Sequence, residues 1–186
     1  MPDIRRQNRP KIKLCEEDTM FVFIRAVTYA TLFIGFFLVY VPSQLLARLG
    51  VALPSSIGVQ QLAGFVLAGF GGTVALWCVF TFARHGKGTP APFDPPRLLV
   101  VSGPYRYVRN PMYIGAVTAL LGAALYWSST SLLAYAVIFL VCGHLFVVYW
   151  EEPVLSNTFG CQYEDYCHHV RRWLPRLPRL EHNADA

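Results

Sequence analysis

The chain reads as an all-α polytopic membrane protein with about four transmembrane helices, and three observations lead there. Of its 186 residues, 54% are hydrophobic and only 15% are charged, a balance foreign to a soluble domain of this size. Four apolar runs approach the length that crosses a bilayer. The basic residues gather at alternate ends of those runs.

A basic tail over residues 1–20 precedes the first run, Phe21 to Leu46, whose Arg25 lies near enough to its start to snorkel to the interface. This run is too long for the core of a signal peptide and sits behind the tail, so no cleaved leader is expected. The second run is Ile57 to Phe82. Gly64, Ala68 and Gly72 recur in it every fourth residue, and Gly115, Ala119 and Ala123 do the same in the third run, Met112 to Trp127. Each series predicts a smooth stripe for close helix contact. The third run reaches only about 24 Å, so the polar turn before it is expected to begin below the headgroup level. The fourth, Leu132 to Trp150, spans about 28 Å. Between the second and third runs, Gly88 to Arg97 holds four prolines and reads as an extended, semi-rigid connector. The organisation is thus a tail (1–20), two N-terminal helices (21–82), a connector and polar turn (83–111), and two C-terminal helices with a polar tail (112–186).

Of 16 Lys and Arg residues, only Arg48 falls in the first interhelical loop, and Ser128 to Ser131 has none. The other fifteen lie in or beside the N-terminal tail, the long middle loop and the C-terminal tail, which places both termini and both polar clusters in the cytoplasm. Charge that flanks spans in this way attracts anionic lipid, and no nucleic-acid partner is expected. The five cysteines, Cys15, Cys78, Cys142, Cys161 and Cys167, contain no CxxC pair and are odd in number, against a disulfide framework or a metal site. Cys78 and Cys142, inside spans, read as packing residues. Gly69 to Gly72 and Gly86 to Thr89 lack the strand context and spacing of a phosphate loop.

Two polar, aromatic-rich clusters carry the candidate chemistry. In the turn before the third run, Asn110 is a favoured N-cap and Pro111 suits the first helical position. The backbone N–H groups of Met112 and Tyr113, with Arg106 and Arg109 nearby, then form a setting for a carboxylate or phosphate. In the second cluster, Glu151 and Glu152 end the fourth run with no Lys or Arg within a helical turn, so a cationic partner is expected from elsewhere. His144 lies seven residues before Glu151, on the same face of a regular helix. With no metal-ligating neighbour it reads more readily as a hydrogen-bonded interior residue than as a catalyst.

The segments Leu99-Val100-x-x-Gly103-x-Tyr105, Arg109-Asn110-Pro111-Met112-Tyr113-Ile114-Gly115, Glu151-Glu152, Phe159-Gly160, Tyr163, Tyr166 and Pro175 follow one another at fixed places around two spans. This pattern resembles the isoprenylcysteine carboxyl methyltransferase and phospholipid methyltransferase family of integral-membrane methyltransferases, and it covers the C-terminal half. The resemblance implies that S-adenosyl-L-methionine binds at Arg97, Leu98, Leu99, Val100, Gly103, Tyr105, Asn110, Pro111, Met112, Tyr113, Glu151 and Glu152, in a cytoplasmic pocket formed by the C-terminal half. A helix N-terminus for an anion, carboxylates for a cation or hydroxyls, and tyrosine faces for a sulfonium match that molecule in charge and shape. The family's motif histidine is Asn110 here, which still donates a hydrogen bond but does not exchange a proton near neutral pH. The arginine that contacts prenylcysteine substrates, four residues before the cofactor glutamate, is Val147. The methyl acceptor is expected to be lipophilic, reaching His144, Val147, Tyr163, Tyr166 and Arg171 from the bilayer. It is an isoprenylcysteine-type carboxylate or, alternatively, a phospholipid amine or another small lipophile. No catalytic base is evident. Two other classes combine spans with a polar pocket: a membrane reductase like the sterol reductases, using NADPH, and a non-catalytic assembly protein.

Overall fold

The computed structural model describes residue 28 and residues 31–54, 56–85 and 99–175. The expectations for the tail (1–20), the proline-rich connector, Arg97 and Leu98 lie outside the described residues. The described residues are helical, without strands: α1 (Thr31–Arg48), α2 (Val59–His85), α3 (Pro111–Tyr126), α4 (Thr130–Phe159) and α5 (Cys161–His169). A 3-10 turn, Gly103–Arg106, precedes α3. Helices α1, α2 and α4 are long and apolar enough to cross a membrane, while α3, with 16 residues, is shorter.

Helix α4 runs nine residues past the expected end at Trp150, to Phe159. Glu151, Glu152 and Pro153 look like a stop, yet the helix passes through them by widening into a π turn over Val147–Glu151, with the Glu152 N–H bonded to the Val147 carbonyl. The cause is Pro153. In a regular helix its ring would clash with the carbonyl four residues back, at Tyr149, and the wider turn relieves that clash. Helix α1 repeats the device: a π turn over Gly35–Tyr40 ends two residues before Pro42, with the Val41 N–H bonded to the Phe36 carbonyl. The extra residue in α4 also breaks the regular register that would align His144 with Glu151.

Helices α2 and α3 pack backbone to backbone. A Cβ on Gly64 would lie 2.6 Å from the Tyr126 nitrogen, and one on Gly115 would lie 2.8 Å from the Ala75 nitrogen. Gly71 meets Ala119, and Gly122 meets Ala68. The expected stripes are therefore corrected at two places, because Gly72 has nothing within 4 Å and the third-run contact falls on Gly122 rather than Ala123. A strict four-residue spacing drifts about 40° per step around a 3.6-residue helix, whereas alternating steps of four and three keep one face. Cys78 is buried as expected, but Cys142 is exposed on the outer face of α4. Ala116 and Leu120 of α3 and Ala136 and Phe139 of α4 form the core, closed by Phe33, Phe37 and Leu38 of α1. The Tyr135 hydroxyl donates to the Phe37 carbonyl inside the first π turn, at 2.9 Å.

At about 1.5 Å per residue α3 is about 24 Å long and α4 about 45 Å. They leave the same short loop, so the start of α3 stands beside the middle of α4 and the last turns of α4 rise above it. That step in height makes the recess in which the polar clusters meet.

Candidate active site

The turn into α3 is anchored to the end of α2. Gly103 adopts φ +59, a backbone that side chains rarely take, and a Cβ there would lie 3.0 Å from Thr81 Oγ1. The Tyr105 and Phe82 rings lie 6.4 Å apart. Val100, Pro104, Val108 and Asn110 are buried, while Arg106 is exposed.

Helix α3 begins at Pro111 with Asn110 at its N-cap, but the Asn110 side chain does not cap it. Its amide instead donates to the Arg172 carbonyl at 3.3 Å, and the Arg109 N–H donates to the Arg171 carbonyl at 2.9 Å. Two carbonyls of the tail thus take up donors of the turn. Among the described residues no side chain caps the N–H groups of Met112 and Tyr113, so this helix end presents donors and partial positive charge.

The adjacent glutamates have different surroundings. Glu152 is clasped by Arg172, Nε to Oε1 and Nη2 to Oε2, both at 2.7 Å, and Arg109 Nη1 stands 3.2 Å from Oε1. These bonds hold the Arg172 guanidinium above its usual range. Arg109 Nη1 also donates to Cys167 Sγ. The cationic partners expected for the pair are therefore Arg109 and Arg172, and they serve Glu152 alone. Glu151 makes no hydrogen bond or ion pair with a described residue, and its charge reaches Tyr105, Tyr113 and Tyr166. Burial pushes the Tyr105 and Tyr166 hydroxyls above the usual phenol range, with Glu151 adding to it. Ser102 Oγ and Arg109 Nε are buried without a hydrogen-bond partner among the described residues.

Helix α5 closes the recess from the side. Tyr163, Tyr166 and Val170 pack on Leu99, Leu155 and Phe159, and the Tyr166 hydroxyl donates to the Tyr105 carbonyl at 2.7 Å. The structure thus brings Leu99, Tyr105, Asn110, Tyr113, Glu151, Glu152, Tyr163 and Tyr166 together about this recess, whereas Gly103 packs on Thr81 and Met112 lines a small cavity with Phe33, Ile34 and Leu38 of α1. Val147 is 1% exposed, interior to the π turn, and presents no free surface. Arg171 points outward, leaving Arg172 as the tail arginine in contact with the recess. His144 accepts a hydrogen bond at Nδ1 from Trp173 Nε1, 3.1 Å away. Trp173 was not singled out from the sequence; a tryptophan within the run Arg171 to Leu174 was the signal available.

The family model described as phospholipid methyltransferase matches residues 59–162, more than half of the chain. The chain belongs to the phospholipid methyltransferase family. It is therefore a methyltransferase that acts on lipid at the membrane, which sets aside the reductase and assembly readings. No curated protein and no solved structure matches it. The phospholipid methyltransferase match takes in α2, the turn, α3 and the Glu151-Glu152 pair, and stops within α5. The tail that carries Arg172 and Trp173 lies beyond it.

Proposed function

We propose that this phospholipid methyltransferase family member uses S-adenosylmethionine, held in the recess between α3, α4 and α5, and methylates a lipophilic acceptor that arrives sideways from the bilayer. The observation that carries the reading is the unequal pair: Glu152 is saturated by arginines, whereas Glu151, within electrostatic reach of three tyrosines, has no hydrogen-bond or ion-pair partner among the described residues. The donors at the start of α3 suit the carboxylate of the cofactor, and Glu151 suits its ammonium or ribose hydroxyls. The orphaned Ser102 Oγ offers one more polar contact. Tyrosine faces favour a cation such as a sulfonium. When bound, the cofactor supplies a methyl group already activated for displacement.

The residues of the chain align the reactants and exclude water, which supplies about 7–11 kcal/mol of barrier lowering without a catalytic base. A carboxylate acceptor arrives ionised, whereas an amine must first be neutral. With Val147 buried where prenylcysteine enzymes carry an arginine, binding of the acceptor rests on apolar contact, worth about 0.8 kcal/mol per buried methylene. The recess lies at the α2 end that meets Gly103, opposite the loop holding Arg48, and the basic residues gathered there support a cytoplasmic site.

The test is calorimetric titration with S-adenosylhomocysteine. Glu151→Gln is expected to weaken binding by about 1.5–3 kcal/mol, the scale of a hydrogen bond to a charged group. Equal affinity in the folded variant and the wild type would refute the assignment. Base treatment of the methylated product separates the acceptors, because a carboxyl methyl ester releases methanol and an N-methyl headgroup keeps its label.

A further inference from the structure

Below the recess, a groove of about 450 Å³ runs between α3 and α4, lined by Val117, Thr118, Leu140, Val141, His144 and Trp173. Its volume is that of a ligand pocket. Leu140 and Val141 line it and are 41% and 50% exposed, so it opens laterally on the face that meets lipid. The walls are apolar except at one end, where Trp173 meets His144.

The chemistry of that end is constrained. An indole nitrogen only donates, so His144 Nδ1 must be the acceptor, and a neutral ring then carries its proton on Nε2. That N–H has no acceptor among the described residues. It is one hydrogen-bond donor at the head of an apolar channel.

Trp173 and Tyr113 connect the head of the groove to the polar cluster. The Trp173 ring meets Tyr113 edge-on, with centroids 6.3 Å apart, and Tyr113 is within reach of the Glu151 charge. Gly143 makes room for this contact, since a Cβ there would lie 3.0 Å from Tyr113 Cδ1. About 10 Å of helix separates His144 from Glu151. Trp173 follows Arg172 directly, so the Glu152 clasp that shapes the recess also sets the head of the groove.

From this we infer that the groove holds the hydrocarbon chain of the methyl acceptor, and that His144 Nε2–H hydrogen-bonds an oxygen where that chain joins the polar head. The acceptor class is a long-chain lipid with an ester or phosphate oxygen at the junction, and the inference rests on the methyl-transfer reading above. The probe is a lysophosphatidylcholine with a diazirine in mid-chain, photolysed with the detergent-solubilised full chain. Labelling of residues 114–118 and 140–144 is expected to saturate with probe concentration. In Thr118→Trp, and in Val141→Trp at the rim, saturable labelling should fall about tenfold or more, since even one methylene of lost room discriminates on that scale. His144→Phe should weaken saturation, and His144→Gln, which keeps an N–H donor, should recover part of it. Thermal unfolding verifies that each variant is folded.

Groove labelling that rises linearly with probe, unchanged in folded tryptophan variants and equal to that of the outward Phe65 and Phe70 of α2, would mean bulk lipid only and overturn the inference. Because labelling needs no methyl donor, the two readings separate. Saturable labelling without S-adenosylhomocysteine binding sinks the donor, and S-adenosylhomocysteine binding with bulk-like labelling sinks the groove.

Discussion

Replacing Arg172 with glutamine removes two hydrogen bonds to Glu152, each 2.7 Å long. Breaking one side of a fully buried ion pair loses about 3–5 kcal/mol. Here the Arg172 side chain keeps 33% of its surface and Glu152 keeps 18%, and Arg109 remains 3.2 Å from the carboxylate as a second partner. Solvent screening and the remaining partner reduce the expected loss to about 1.5–3 kcal/mol. Glu152→Gln removes the charge and one of the two acceptor oxygens that both arginines share, and should lose more. The assay is equilibrium unfolding in mixed micelles of the two single variants and the double variant, where contacting residues show a coupling of about 1–2 kcal/mol. Limited proteolysis gives the local readout, because releasing Arg172 frees the tail that carries Trp173. Single-variant losses that add within about 0.3 kcal/mol, with unchanged protease sensitivity, would refute the clasp as the element that holds the tail in place.

Gly71→Ala sets a Cβ against the backbone of Ala119 and Gly115 and should destabilise by about 1–3 kcal/mol in the same unfolding assay. Gly72→Ala, with nothing within 4 Å, should be neutral or stabilising by up to about 1 kcal/mol, and equal effects would contradict the packing face. Burial, with Glu152 adding to it, pushes the Tyr163 hydroxyl above the phenol range, and burial does the same at Tyr166. The unfolded chain therefore loses these protons first, so the stability they contribute is present below about pH 10 and is lost as pH rises above it. Tyr163→Phe should flatten part of that fall, and a melting temperature with the same alkaline slope in both proteins would refute the assignment.

The helices were legible because apolar length and helical spacing are local properties of the chain. Asn110-Pro111 located the start of α3 for the same reason. The reading failed where two local signals compete. Charge and proline at Glu151 to Pro153 signal an end, but a π turn absorbs the proline and α4 continues to Phe159. The small-residue stripe was misplaced by one position because a four-residue step resembles a helical repeat but drifts from it. The expectation that Asn110 caps α3 missed a competitor 62 residues away, the Arg172 carbonyl. No pattern near Asn110 announces that partner. Separations of 29 and 20 residues likewise hid Trp173 from His144 and left open which arginine of the tail would meet the glutamates.

The π turn explains why two neighbouring carboxylates have unequal surroundings. In an uninterrupted helix, Glu151 would stand over His144 on one stripe. The extra residue before Pro153 shifts Glu151 out of that register, within electrostatic reach of Tyr105, Tyr113 and Tyr166, while Glu152 stands where Arg109 and Arg172 converge. In α1 the equivalent turn before Pro42 is sealed, since Tyr135 occupies its Phe37 carbonyl within the aromatic core. In α4 the turn borders the recess, so the same backbone adjustment that lets a helix pass a proline accompanies there the separation of a carboxylate clasped by two arginines from one with no hydrogen-bond partner among the described residues.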